Sequence, residues 1–567
     1  MDNKDIIKVI KLAASIMELH NENPFKIRQY QSLVFKLEKA NNSLSLLSEE
    51  EIAATEGIGK NMAAKIKAIS ETGSFPELST LLEETPKGLL DIMNLKGLGP
   101  KKIRVLWQEL NITNTEELRK ACEESQVAKL KGFGAKTQDT IKQGLAFLEQ
   151  QKDKFLYAEV EELAYSLEKL IKESPYAENA CLAGDIRRKM EIVHNLQILV
   201  ACTEFQAMHS FLDSLEGIKK DVAASAPFAW RGKHESGLNI EVKMYPPAEF
   251  GGRLYIHSAS KEHLIQEVSP GKNFISIVNE HKFKTESDLL AHLELPNIDP
   301  EYREGFDEIS LCKEGKAPCL VTYEDLKGIL HNHTTYSDGV HSLEEMAAYC
   351  KNLGFEYLGI SDHSKTAYYA GGLTEEDILK QHAEIDELNK KLTPFKIFKG
   401  IESDILNDGA LDYEDSVLAS FDFIVASVHA NLKMTEEKAT QRLITAIENP
   451  YTTILGHATG RLLLRREGYP IDHKKVIDAC AANNVVIEIN ANPRRLDMDW
   501  RWIRYAISKN VMISINPDAH KTEGYHDMKY GVYMGRKAGL TKEMTFNALS
   551  LSEIEKFFAQ RKKAVGV

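Results

Sequence analysis

Nine residues in the C-terminal part of the chain are of the types that hold divalent metal ions: His331, His333, Asp338, His363, Glu402, His429, His457, Asp518 and His520. Imidazole nitrogen and carboxylate oxygen suit Zn²⁺, Mn²⁺ or Fe²⁺, whereas a Mg²⁺ site shows fewer histidines. Nine ligands exceed what one ion can use, so they point to a cluster of two or three. His331 and His333 lie two apart, as do Asp518 and His520, and on a β-strand such pairs present both side chains to one face. Singly, each residue has a plainer reading: Asp338 beside Gly339 suits a turn, Glu402 suits a helix cap, and a lone histidine at a strand end is most often simply hydrogen-bonded.

The surrounding pattern favours the collective reading. Seven short apolar, β-branched runs, GILHNH, YLGISDH, KIFKGIE, FIVASVH, TTILGHA, VVIEINAN and MISINPDAH, are each followed by a helical pattern. Six of them carry His, Asp or Glu at or just past the C-terminal end, where a β/α barrel places its chemistry. Clustered cations there would lower the pKa of a water toward neutrality and offset charge on phosphate oxygens. His331, His333, Glu402 and His520 are the candidates for that catalysis. Lys365, Arg461 and Arg494, near the strand ends, are candidates to hold a neighbouring phosphate, with exposed loop charges as the equal alternative.

Upstream, residues 300 to 325 are acidic and turn-rich and read as a linker. Residues 155 to 315 mix the helical AEVEELAYSLEKLI with strand-like LQILVAC and LNIEVKMY, an α+β pattern. Up to about residue 150, apolar residues recur at three and four, as in Ile6, Ile10, Ala13 and Met17, so this region reads as all-helical. Domains are expected at 1–150, 151–315 and 316–567.

Three segments of the helical region are alike: ATEGIGKNMAAKIKAI, LKGLGPKKIRVLWQEL and LKGFGAKTQDTIKQGL. Each sets an apolar residue between two glycines (Gly57 and Gly59, Gly97 and Gly99, Gly132 and Gly134) and then opens a helix. Glycine permits the tight turn, and the helix start offers free N–H groups and a positive dipole end to an anion such as a DNA phosphate. A plain αα turn closed by glycine is the alternative. Such a grip needs little net charge, which matters because the 567-residue chain carries −13. That balance excludes binding of nucleic acid through bulk positive charge. Seven scattered cysteines with no C-x-x-C pair suit a reducing cytoplasm. No run of 18 apolar residues suggests a membrane span, so a cytoplasmic, nucleoid-associated protein with no membrane partner is expected.

The three glycine segments resemble the helix-hairpin-helix motif of DNA-binding proteins. GDIRRKMEIVHNLQILV at 184 to 200 resembles the palm of family X DNA polymerases, and YPPAEFGGRLYIHSASKEHL at 245 to 264 resembles that family's nucleotide-binding segment. HNHTTYSDG, SDH, GIESDI, SVH, LGHATGR and NPDAH resemble the successive motifs of the polymerase-and-histidinol-phosphatase (PHP) domain. The whole chain thus resembles a bacterial family X DNA polymerase fused to a PHP domain. The resemblance implies an all-α helix-hairpin-helix region, an α+β nucleotidyltransferase-like palm and thumb, and a distorted (β/α)7 barrel with a trinuclear centre. It implies one metal on His331, His333, Glu402 and Asp518, a second on Glu402, His429 and His457, and a third on Asp338, His363 and His520.

The departures fall in the palm. The family's paired aspartates correspond to Asn195 and Gln197, neither of which supplies an anion, and the third aspartate corresponds to Glu241. The turn serine is Asp185, an acid facing an anion, and the Arg187–Arg188 pair reads as solvated. The expectation is a DNA repair enzyme with a palm that grips DNA without polymerising. Its barrel would be a Mn²⁺- or Zn²⁺-dependent phosphoesterase, a 3′–5′ exonuclease with abasic-site endonuclease or 3′-phosphatase activity as extensions, acting on gapped, nicked or 3′-ended duplexes. The alternatives are an active gap-filling polymerase with an editing barrel, a DNA-end binding module with structural metals, and a small-molecule phosphatase of the histidinol phosphate type.

Overall fold

The computed structural model describes residues 3–37, 44, 47–55, 57–95, 97–564 and 566. The chain forms two compact units, Met1–Lys152 and Asp153–Val567. The described part of the first is helical, and Ile6, Ile10, Ala13 and Met17 line one buried face, as spacings of three and four require. Its glycine turns share one construction. Gly57, Gly97 and Gly132 take φ values of +78°, +89° and +86°, where a side chain is strained. Ile58 and Leu98, between their glycines, are buried in the helical core, and Phe133 packs against it. Each plug leaves a helix start facing outward: Lys60–Thr72, Pro100–Leu110 and Ala135–Gln151 begin after Gly59, Gly99 and Gly134, with no side-chain cap on their first N–H groups.

The second unit holds a five-stranded sheet and a barrel. The sheet comprises β1 (Asn179–Ala183), β2 (Asn195–Ala201), β3 (Ile218–Lys220), β4 (Ala229–His234) and β5 (Asn239–Tyr245), in spatial order β1-β2-β5-β4-β3. Only β2 and β5 run parallel. Leu196, Ile198 and Val200 are buried on one face of β2, which puts Asn195 and Gln197 on the other.

The segment expected to be a linker is packed instead. Tyr302, Ile309 and Cys312 belong to the core of the helical region around residues 250 to 313, and Val321 belongs to the barrel's core. The acidity that suggested a solvated tether supplies counter-ions to internal cations. Glu304 pairs with Arg188 at 2.9 Å and with Lys537 at 2.5 Å, and Glu301 pairs with Arg536 at 2.5 Å. Lys537 has no exposed surface and also donates to the backbone oxygen of Arg188 at 2.9 Å.

The barrel has the seven expected parallel strands in sequential order: β6 (Gly328–Ile329), β7 (Tyr357–Ile360), β8 (Lys396–Asp404), β9 (Phe423–Ser427), β10 (Ile454–Leu455), β11 (Val486–Asn490) and β12 (Ile513–Asn516). Among the described residues no ladder joins β6 to β12, and side chains close the seam. Asn547, fully buried, donates to the carbonyls of Gly328 (2.9 Å) and Ile515 (2.7 Å) and accepts from the Ile515 N–H (2.9 Å). Higher up, Asn516 accepts from the Leu330 N–H at 3.1 Å, and His333 N–H donates to the Ala519 carbonyl at 2.8 Å. These buried backbone groups find partners although the strands do not pair. Asn547→Ala leaves three of these groups unpartnered and is expected to destabilise the second unit by about 2–4 kcal/mol. The shift in urea midpoint followed by tryptophan fluorescence measures this, and an unchanged midpoint would show that the seam holds nothing.

Candidate metal centre

Parallel strands all deliver their C-terminal ends to one rim, and the nine predicted residues lie there. His331, His333 and Asp338 follow β6, His363 follows β7, Glu402 lies near the C-terminal end of β8, and His429 and His457 follow β9 and β10. Asp518 and His520 follow β12. His331 and His333 turn to one side as expected, both reaching Glu402 and Asp518, but from beyond the strand and not within it. β6 ends at Ile329, so His331 and His333 sit beyond it on either side of Asn332, which bridges to Ala519. Asp518 adopts φ +52°.

Glu402 is the hub. It is 1% exposed, and its Oε1 lies 3.0 Å from His457 Nε2, 3.2 Å from His429 Nε2 and 3.3 Å from His331 Nε2. Its Oε2 lies 2.9 Å from His363 Nδ1 and 3.7 Å from His333 Nε2. Asp518 Oδ1 lies 3.0 Å from His333 Nε2 and 3.5 Å from His331 Nε2, while Asp338 Oδ1 faces His520 Nε2 at 3.4 Å. All nine residues therefore converge. Their grouping differs in part from the expected one: His331, His333 and Asp518 gather as anticipated, but His457 groups with His331 and Glu402, and His429 with His363 and Glu402. His333 joins Asp338, His363 and His520.

This donor set fits divalent cations on the evidence of its own chemistry. His331 Nε2, His333 Nδ1, His363 Nδ1 and Glu402 Oε2 are buried without a hydrogen-bond partner, a costly state for polar atoms unless a cation is their partner. Burial pushes the Glu402 carboxyl up, but the imidazoles of His429, His331 and His363 overcome it and hold it well below the usual carboxylate range. Asp518 is likewise held low by His331 and His333 against its burial. Burial, with His520 and His363 alongside, pushes His333 down to about 3, whereas the carboxylates Glu488, Glu402 and Asp518 raise His331 against its burial.

Several residues that complete the site escaped the sequence reading. Glu488 on β11, the strand that supplies none of the nine, is fully buried and takes His331 Nδ1 at 2.7 Å, the Asn516 amide at 3.1 Å and the His457 N–H at 3.2 Å. Asp404 holds His429 Nδ1, Asn490 donates to Asp518 Oδ2 at 3.0 Å, and Arg495 Nε lies 3.4 Å from the same oxygen. The signal was an acid inside VVIEINAN, a run otherwise apolar. The basic candidates fare differently. The Arg461 guanidinium is committed to Asp499 at 2.5 Å and to the carbonyls of Arg495 and Leu496. Lys365 pairs with Glu375 at 3.0 Å, and Arg494 lies 3.7 Å from Glu159. Arg495, not these three, stands at the cluster.

In the palm, β2 pairs with β5 so that Gln197 lies beside Glu241. The Gln197 amide donates to Glu241 at 3.0 Å, and Arg231 and Lys243 pair with the same carboxylate at 2.5 and 3.2 Å. Burial raises the Glu241 pKa, but Lys243 and Arg231 bring it below the ordinary value. Asn195 shares that face, opposite Asn239. Arg187 and Arg188 are not solvated: Arg187 forms a bidentate pair with Glu286 and donates to Ser258 at 2.9 Å, and Arg188 chelates Glu304. Asp185 faces Arg188 and His194, at 3.3 and 3.1 Å. Among the described residues, every cluster of His, Cys, Asp and Glu fit for a metal lies in the barrel.

Comparison with known proteins agrees with this layout. Residues 330–492 match the family described as the PHP domain, residues 1–75 a helix-hairpin-helix domain, and residues 89–146 a SAM-like helix-hairpin-helix tandem. The chain is 34% identical over 569 residues to the "DNA polymerase/3′-5′ exonuclease PolX" of Bacillus subtilis (strain 168), covering 98% of this chain and 99% of that protein. It is 26% identical over 247 residues to a "probable phosphatase" of Thermoanaerobacter sp. (strain X514), covering 42% of this chain and 96% of that one. The similarity to the Bacillus protein runs through hairpins, palm and barrel together, and the chain belongs to the family X DNA polymerases that carry a C-terminal PHP domain.

Proposed function

We propose that the chain is a DNA repair phosphoesterase whose barrel removes nucleotides from 3′ ends, with hairpins and palm that bind gapped, nicked or 3′-ended duplex without extending it. The observation that carries this reading is one cluster of nine donors at the barrel rim, in which five imidazoles surround the buried Glu402 and Asp518, Asp338 and His520 extend the group outward. Two or three ions of Mn²⁺, Zn²⁺ or Fe²⁺ would be held by His331, His333, Asp338, His363, Glu402, His429, His457, Asp518 and His520. Bound there, they would supply an acidic water and the positive charge that phosphoryl transfer requires. The chain's own residues do the orienting. Glu488 fixes the His331 ring through Nδ1, Asp404 fixes His429, and Asn490 and Arg495 hold Asp518. Arg495 is also the nearest guanidinium for a phosphate oxygen. The hairpin glycines Gly57, Gly59, Gly97, Gly99, Gly132 and Gly134 would admit DNA phosphates to free helix-start N–H groups. The family relative's name, which includes 3′–5′ exonuclease, supports the direction of attack. Abasic-site endonuclease and 3′-phosphatase activity are extensions of the same chemistry, and the phosphatase relatives favour the latter. A cytoplasmic, nucleoid-associated place follows from the DNA substrate.

The palm reading rests on Glu241. Its carboxylate is neutralised by Arg231 and Lys243, and its neighbours Asn195 and Gln197 bring no charge for a Mg²⁺ pair. A gap-filling polymerase with an editing barrel is the second reading, favoured by the word polymerase in the name of the Bacillus relative.

With Mn²⁺, the full chain is expected to shorten a 3′ strand bordering a gap, and His331→Ala with His333→Ala to slow this by about 100-fold or more. Persistence of the rate would remove the assignment. Glu488→Gln should raise the Mn²⁺ concentration for half-maximal rate by about 10- to 100-fold, since a carboxylate partner orients a ligand histidine and increases its basicity. With all four deoxynucleoside triphosphates added, the same gel should show no extended primer in either Mg²⁺ or Mn²⁺; template-directed extension would establish the second reading.

A further inference from the structure

Between His363 and Leu373 the chain leaves the metal-centre rim and returns to it as a pinned loop. Its two ends bridge each other at Ser364 and Leu373, and the Leu373 N–H donates to the His363 carbonyl at 2.9 Å. Thr366 is tied to Asp404 at 2.8 Å through its hydroxyl and to Asp412 at 2.7 Å through its N–H. Ala367 and Ala370 are buried. Gly372 has no room for a Cβ, which would lie 1.9 Å from the Ser364 carbonyl oxygen. Yet this fixed loop carries Tyr368 and Tyr369 with 85% and 74% of their surface exposed, on one short turn, Tyr368–Ala370. Among the described residues of the barrel, these are the two exposed large aromatic side chains. The Tyr369 ring lies 6.4 Å, centroid to centroid, from that of His363, which itself touches Glu402.

A loop held this firmly gains nothing for the fold by displaying two aromatic rings to water. Rigid tyrosines lose little entropy when something stacks on them, and a nucleobase is the flat, sequence-tolerant partner that arrives at this place when a DNA strand end enters the cluster. We infer that Tyr368 and Tyr369 form a stacking platform for the terminal bases of a frayed 3′ strand, holding the last phosphodiester over the metal centre. This rests on the phosphoesterase reading for what the strand is doing there. It adds to that reading two positioning residues, which would grip the end of the strand by its bases and not by its phosphates. An aromatic pair grips by ring faces, so base identity matters little while strand separation matters much.

The test uses the full chain and a gapped duplex with a short unpaired 3′ tail ending in 2-aminopurine, whose fluorescence falls on stacking. Wild-type protein is expected to quench it, and Tyr368→Ala with Tyr369→Ala to abolish the quench, while Tyr368→Phe with Tyr369→Phe retains it. In Mn²⁺ the alanine pair should raise KM for the tailed duplex by about tenfold or more, with a smaller change in kcat. A quench or KM unchanged by the alanine pair would overturn the platform. Quenching that depends on the tyrosines, without hydrolysis by the wild type, would keep the platform and sink the phosphoesterase reading instead.

Discussion

One buried carboxylate organises the barrel. Glu402 sits within 3.0 to 3.7 Å of five imidazoles while almost wholly removed from water. A lone anion there would be driven to protonate. It stays charged because each neighbouring ring can carry or coordinate positive charge, and those rings come from the ends of four other strands. Satisfying one acid therefore fixes where those strands must end. Glu488 extends the same logic inward, linking His331 to the seam asparagine Asn516. The polar interior is a connected network whose outer members are hydrogen-bonded, while the atoms left without a partner, His331 Nε2, His333 Nδ1, His363 Nδ1 and Glu402 Oε2, belong to the metal-ligand candidates.

Much of this was legible in the sequence. The alternation of short apolar runs and helical stretches identified the barrel, because parallel strands buried on both faces read as continuous β-branched segments. The nine donors were legible because type and position coincided at six strand ends. Arg461 and Arg495 show where reading fails. Both are basic and close to strand ends, but only Arg495 reaches Asp518, while Arg461 is consumed by Asp499 and two carbonyls. A charge pattern says that an arginine is present and leaves its partner open. The supposed linker failed for the same reason: Glu301, Glu304 and Glu308 read as solvated acids, whereas they meet Arg536, Lys537 with Arg188, and His263 inside the unit. Long-range ion pairing leaves no local signature, and hydrogen-bonded asparagines such as Asn547 leave even less.

The palm shows polar contacts and packing kept apart on one sheet. β2 and β5 are in full parallel register, and Leu196, Ile198 and Val200 are buried on one face of β2. On the other face, amide and ion-pair contacts tie Gln197, Glu241, Arg231 and Lys243 together. Because alternate residues of a strand face opposite ways, chemistry on one side can change while packing on the other is preserved.

Lys537 gives that sheet a second occupation. The ammonium is sealed from water, and burial pulls its pKa below the ordinary value although Glu304 opposes the shift. It belongs to a barrel helix, Met528–Lys537, yet both of its partners, Glu304 and the Arg188 carbonyl, lie outside the barrel. Trp500 and Arg501 of the barrel likewise need Glu191. A barrel shorn of those neighbours would lose the groups that cover this ammonium and pair with it, and would open that part of its surface to water. The palm is thus a wall of the barrel's own house: a change at Arg188, Glu191 or Glu304 would be felt by Lys537, Trp500 and Arg501 on the barrel side.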